Sequence, residues 1–305
     1  MKSCPCCSVR SLVVETTAPS PEVSSESPSG MREGDAADLA HLSRLLTVVK
    51  QQLEPWMRVV HDPAEDSDLA GDDRHYRSFP TSRAASFCIG SAIDHLALAR
   101  ITIELSKQLR PFALYTVART SLLSASRAVW MLYPDDRAER QRRGLEMAFA
   151  DAKNFKSLVS KSRGGSPIPL TKLQQEVADR QSEECRADLA HVKAAGKELG
   201  MKFGPKDSRP TETSIIADAA KWCDRENSGS AHASNLLWMT NSGYAHGLSW
   251  PTKWSRAIVT GDSGASEGRI RATVPEIAQA LGAAFLMTQA AVALYGDRSR
   301  PQSDS

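Results

Sequence analysis

The chain has 305 residues, 41% hydrophobic and 24% charged, the balance of an ordinary globular protein rather than a disordered or fibrous one. A formal net charge of +2 argues against a strongly basic nucleic-acid binder and against an acidic tail protein. Six cysteines, three of them crowded at Cys4, Cys6 and Cys7, show neither the repeated spacing of a disulfide framework nor the second half of a zinc site, so no metal and no cofactor is expected.

Residues 1–34 are dominated after Val14 by Ser, Pro, Glu and Thr, which cannot bury enough surface to offset the entropy of ordering, so a disordered tail is expected. Within it, Met31 offers an alternative start of translation to Met1. Met1–Arg10 lacks the apolar core of a secretory signal, and Ile277–Tyr295, the most apolar stretch, is broken by Gln279, Thr288 and Gln289. A cytoplasmic protein without a membrane partner is therefore expected. The remainder reads as one helical domain over 35–298, with a second disordered end at 299–305.

The first helix opens at Asp35 or Asp38 and carries Leu39, Leu42, Leu45, Leu46, Val49 and Leu53 before Pro55 stops it. His61–Pro80, acidic and poor in apolar residues, reads as a loop. A second helix runs from about Arg83 to Leu109, and Pro111 starts a third that ends near Tyr133. A fourth follows Asp135 or Asp136 to about Lys161, and after a Gly/Pro-rich break a fifth spans Thr171 to about Leu199. Ser214–Cys223 is a short helix and Ser230–Leu248 another. Lys253–Val259 and Arg269–Val274 are rich in β-formers and predict a small hairpin, and Pro275 opens the last helix. The expected fold is mainly all-α: a bundle of about seven to eight helices with a β-hairpin insertion near 253–274.

Three of these helices carry residues that need explaining. On the third, Arg119 lies among Phe112, Tyr115, Leu122, Leu123 and Trp130, with Arg127 two turns on. An isolated buried guanidinium is very costly, so either an inter-helix carboxylate lock or an anion site is expected there. On the second, Asp94 shares a stripe with Phe87, Leu98, Ile101 and Leu105, which predicts an Asp94–Arg119 pair. On the helix over 230–248, His232, Asn235, Met239, Ser242 and His246 recur at three- and four-residue spacing, so they share one face. That polar stripe reads as a site or as a hydrogen-bonded core network. Arg140 and Arg143 belong to a cation-rich run on the fourth helix, the place where phosphates would lie if the protein touches nucleic acid.

Three segments together, 118–130, then Glu139-Arg140 with Arg143, then Asn241-Ser242-Gly243-Tyr244-Ala245-His246-Gly247, resemble a group of helical proteins from actinobacteria. That group in turn resembles the HEPN (higher eukaryote and prokaryote nucleotide-binding) helical superfamily. The resemblance spans about Arg83–Tyr295. It implies dimerisation with a second copy of the chain and, for catalytic members, metal-independent RNA cleavage in toxin–antitoxin or phage-defence systems. The superfamily's motif is an arginine followed four to six residues later by a histidine. His246 matches the histidine, whereas Asn241 stands at the arginine position. Carried onto this chain, His246 would move a proton, Arg119 or Arg127 with Asp94 would complete a catalytic group, and Asn235, Asn241, Ser242, Arg140 and Arg143 would bind. Without the motif arginine, the resemblance implies a non-catalytic interaction or dimerisation module.

Overall fold

Leu42, Leu45, Leu46, Val49 and Leu53 fall at helical spacing and are buried together, which sets the course of the first element across the bundle. In the computed structural model, which describes residues 33–59, 61–164, 171–203, 210–224, 229–253 and 273–301, this element is α1 (Glu33–Val48). It runs on through a π-helical turn, Val49–Leu53, into a 3-10 turn, Glu54–Arg58. Pro55 lies at the start of the 3-10 turn, where its missing N–H ends the wider ladder. The expected tail over 1–34 falls outside the described residues but for its last two, and 302–305 falls outside them too. Ser299 and Pro301 are tied to the fold: Ala64 donates to the Ser299 carbonyl at 3.0 Å, and Pro301 pairs with Ser67 in an isolated bridge.

The acidic stretch expected to be a loop contains a helix, α2 (Asp68–Asp73). Ser67 caps it, its Oγ accepting from the Ala70 N–H at 3.1 Å. Leu69 and Asp72 are buried, so this segment is part of the packing. Its acids are counter-ions to arginines elsewhere in the chain, which is why their density misled a reading based on composition.

The long helices are α3 (Thr81–Ser106), α4 (Pro111–Leu132), α5 (Arg137–Gly164), α6 (Lys172–Glu198), α7 (Glu212–Cys223), α8 (Gly229–Ala245) and α9 (Val274–Ser299). Every helix expected from the sequence is present. Thr171 with Gln174 forms a capping box on α6, and Thr273 with Glu276 forms another on α9. Lys107, at φ 54°, turns the chain out of α3. The α8 helix closes at Gly247, at φ 68°, with Leu248 N–H bonded back to the Gly243 carbonyl at 2.9 Å. The hairpin expected over 253–274 lies outside the described residues, save that Lys253 ends a helical turn over 250–253 and Val274 opens α9. No strand occurs among the described residues.

The centre of the molecule is α4, which packs against α3, α9, α8, α7 and α5. Every residue from Ser121 to Ser126 is buried. The sequence predicts this, because both faces of the helix are apolar or small. A second, smaller core lies where α5 meets α6, built from Leu145, Ala148, Phe149, Val192 and Ala195, with Phe203 stacked on Phe149 at 4.5 Å. By length and composition α3 and α9 could each cross a membrane. In this bundle α9 is largely buried against its neighbours, whereas α3 leaves one apolar face outside.

Candidate functional site

Arg119 and Arg127 are eight residues apart on α4, about 12 Å along the helix and about 80° around it. Their long side chains nonetheless meet at one carboxylate. Glu212, in the first turn of α7, lies 3.1 Å from Arg127 Nη2 through Oε1 and 3.7 Å from Arg119 Nη2 through Oε2. Thr211 fixes that turn, its Oγ1 accepting from the Ser214 N–H at 3.1 Å, and an acid there also suits the helix dipole. On the other side the Arg119 guanidinium lies over the Trp238 ring of α8, 5.4 Å from its centroid.

Satisfaction at this junction is incomplete. The Nε atoms of Arg119 and Arg127, Asn235 Oδ1 and Trp238 Nε1 are all buried without a hydrogen-bond partner among the described residues. Native structures leave few such atoms, and each asks for an explanation. Arg119 therefore has a carboxylate partner, as one of the two sequence readings expects, but that partner is Glu212. Glu212 and Trp238 went unread in the sequence because their pairing depends on how α7 and α8 dock.

The expected Asp94–Arg119 pair does not form. Asp94 is exposed on the outer side of α3, and Arg119 belongs to the α4–α7–α8 junction. The reason is which face of α3 packs. The helix seats itself through Ala84, Ala85, Ile89, Ala92, Ile93, Leu96 and Ala99, and the alanines among them allow close approach to α4. The larger stripe of Phe87, Leu98, Ile101 and Leu105 is left outside.

The polar stripe of α8 is likewise turned away from the core. His232, Met239 and His246 are exposed, while Asn235 and Ser242 are half-buried. The inward face is Ala231, Trp238, Asn241 and Tyr244, about a third of a turn around the helix from the expected one. Tyr244 stacks on Tyr115 at 4.4 Å. Asn241, expected as a binding residue, is only 2% exposed and is a core residue here. The His246 ring makes no hydrogen bond or ion pair among the described residues. Gly243 gives room not to another helix but to the turn after α8: a Cβ there would meet Pro251 Cγ at 2.5 Å.

Arg140 and Arg143 are committed to structure. Arg140 is fully buried against Asp72 and also donates to the Pro134 and Asp135 carbonyls at 3.0 and 2.8 Å. Arg143 joins α4 to α5: it donates to the Trp130 carbonyl at 2.6 Å and Glu139 at 2.8 Å, and lies over Trp130 and Tyr133.

A cleft of about 790 Å³ opens between the first half of α3, Trp56, Met57, Val59, His61 and Tyr295. Trp56 and His61 stack at 4.1 Å on one wall, and His61 Nε2 donates to the Trp56 carbonyl at 2.8 Å. Phe87, Asp94 and His95 form the opposite wall, on the same side of α3 as the exposed stripe. Comparison of the chain with family models, with curated proteins and with solved structures finds no match.

Proposed function

We propose that the protein is a non-catalytic helical interaction module that pairs with a second copy of itself through the outer face of α3. The observation that carries this reading is the exposure of Phe87 (63%), Leu98 (51%), Ile101 (42%) and Leu105 (80%) along one side of one helix. Soluble surfaces carry scattered apolar residues, but four large ones aligned along one side of a single helix mark an interface.

The stripe has the spacing of a helix-pairing seam. Positions 87, 91, 94, 98, 101 and 105 alternate by four and three residues, so all six fall within about 40° of one line along the helix. The pattern is also symmetric about position 96. An antiparallel two-fold there sets Phe87 against Leu105, Ser91 against Ile101 and Asp94 against Leu98, large opposite large and small opposite branched. Leu105 then reaches the rim of the cleft beside Phe87. The same axis brings two Asp94 carboxylates near each other, and their repulsion keeps the association reversible. A cytoplasmic setting belongs to this reading, supported by Cys88, Cys185 and Cys223 standing as free thiols.

Sedimentation of the full chain tests the reading. We expect a dimer at micromolar concentration that Leu98→Glu and Ile101→Glu each turn into a monomer with an unchanged helical spectrum. A wild-type chain that stays monomeric throughout that range overturns self-pairing, as does flotation of the wild type, but not of Leu98→Glu, with lipid vesicles. Cleavage of RNA in EDTA that disappears in His246→Ala overturns the non-catalytic part.

A further inference from the structure

Glu212 is a poor fit for the two cations it serves. A carboxylate has two oxygens, and here each goes to a separate arginine, Oε1 to Arg127 and Oε2 to Arg119. Both contacts use Nη2. In a guanidinium, Nη2 and Nε–H form one side-on edge, built to hold an oxyanion through two parallel hydrogen bonds. Both Nε–H groups are buried with nothing among the described residues to accept from them. Two arginines therefore turn the same half-used edge toward one spot. Trp238, whose ring lies under the Arg119 guanidinium, carries a third buried donor, Nε1–H, without a partner among the described residues.

We propose that Glu212 holds the place of a phosphoryl oxyanion, which binds between Arg119 and Arg127 when the Glu212 side chain swings away. A tetrahedral oxyanion has enough acceptor oxygens to meet both arginines side-on, using Nε as well as Nη2 on each. Glu212 is free to move, because its side chain is 41% exposed. Beside it and Arg127 lies a cavity of about 200 Å³ that Trp130, Met147, Asn154 and Pro210 help to line, with room for a phosphoryl group. Glu146 and Asp151 also line it and disfavour a highly charged ligand, so a phosphodiester or a singly charged phosphate suits it best. Nothing in this site depends on how α3 is used, so it stands or falls separately from self-pairing.

The experiment is a titration of the full chain with inorganic phosphate, with dimethyl phosphate and with a short single-stranded RNA, read through the arginine Nε–H resonances and the melting temperature. The two Nε–H signals are assigned by their loss in Arg119→Lys and Arg127→Lys. We expect both to shift in the wild type and binding to be several-fold tighter in Glu212→Gln, which keeps the shape and removes the competing charge. The lysine variants keep the charge without the edge and should bind several-fold more weakly. Saturation by inorganic phosphate alone assigns the site to a free phosphate, and saturation by the diester and RNA assigns it to a nucleic-acid backbone. No shift in either the wild type or Glu212→Gln overturns the proposal, as does binding that both lysine variants leave unchanged.

Discussion

Arg140 on α5 holds Asp72 on α2 side-on, Nε to Oδ2 at 2.6 Å and Nη2 to Oδ1 at 3.1 Å, with both side chains closed off from solvent. The remaining Nη1 donors go to the two carbonyls that precede α5. The guanidinium thus joins α2, the α4–α5 turn and α5 in one polar knot. Arg298 adds α9 to it, through Asp68 at 3.0 Å and Asp135 at 2.8 Å.

Breaking one side of the buried pair should be severe. Asp72→Asn or Arg140→Gln leaves a buried partner uncompensated, and a loss of about 3–5 kcal/mol in urea unfolding is expected. Replacing both by apolar residues of similar size should cost much less than the sum of the singles. Additive losses would show that the two side chains do not act as a pair.

Asp94 and His246 should behave in the opposite way. Both are exposed, and neither makes an ion pair among the described residues. Asp94→Asn and His246→Ala are each expected to change monomer stability by no more than about 0.5 kcal/mol. On the self-pairing reading Asp94→Leu also strengthens association, because it removes the carboxylate beside the two-fold and extends the seam. Weaker association of Asp94→Leu in sedimentation would contradict the antiparallel register.

How much of this could be read beforehand depends on what each feature rests on. The helices of α4 and α9 were legible because proline starts, caps and apolar spacing all act within a few residues. The rotation of α3 and α8 was not. Each has apolar residues on two sides, so periodicity gave no unique inward face, and the small residues Ala85, Ala92 and Ala99 won on α3 by allowing closer packing than Phe87 or Leu98. That inversion alone undid the Asp94–Arg119 pair. That Arg119 needed a carboxylate followed from burial, but naming Glu212 required knowing that α7 docks on α4. The Asp72–Arg140 pair was hidden by the same kind of distance, with α2 further disguised by its acidity.

The α3–α5 contact makes a sharp packing prediction. A Cβ on Gly144 would collide with Thr81 Oγ1 and come within 3.2 Å of Thr81 Cβ, at the buried start of α3. Gly144→Ala should therefore lower stability by about 1–3 kcal/mol, although alanine is the better helix former. Adding Thr81→Ala removes the colliding hydroxyl and should recover part of the loss. A Gly144→Ala chain as stable as the wild type in urea would mean that the two helices are not this close.

Alkaline pH should weaken the fold. Burial pushes the Cys88 thiol up to about 11 and the Tyr295 hydroxyl up to about 12, and it raises the Tyr115 hydroxyl in the same direction. The folded chain thus holds these groups neutral where the unfolded chain would release their protons, at about 8.5 for a thiol and about 10 for a phenol. Their contribution is fully present below the unfolded values and is lost as pH rises through the folded ones. Urea midpoints should fall steadily from about pH 8 to about pH 10.5. Cys88→Ala should flatten the first part of that fall, since it removes a group that burial keeps protonated. A midpoint that stays level or rises over this range, or a slope that Cys88→Ala leaves untouched, would show that the thiol ionises as easily inside the fold as outside it.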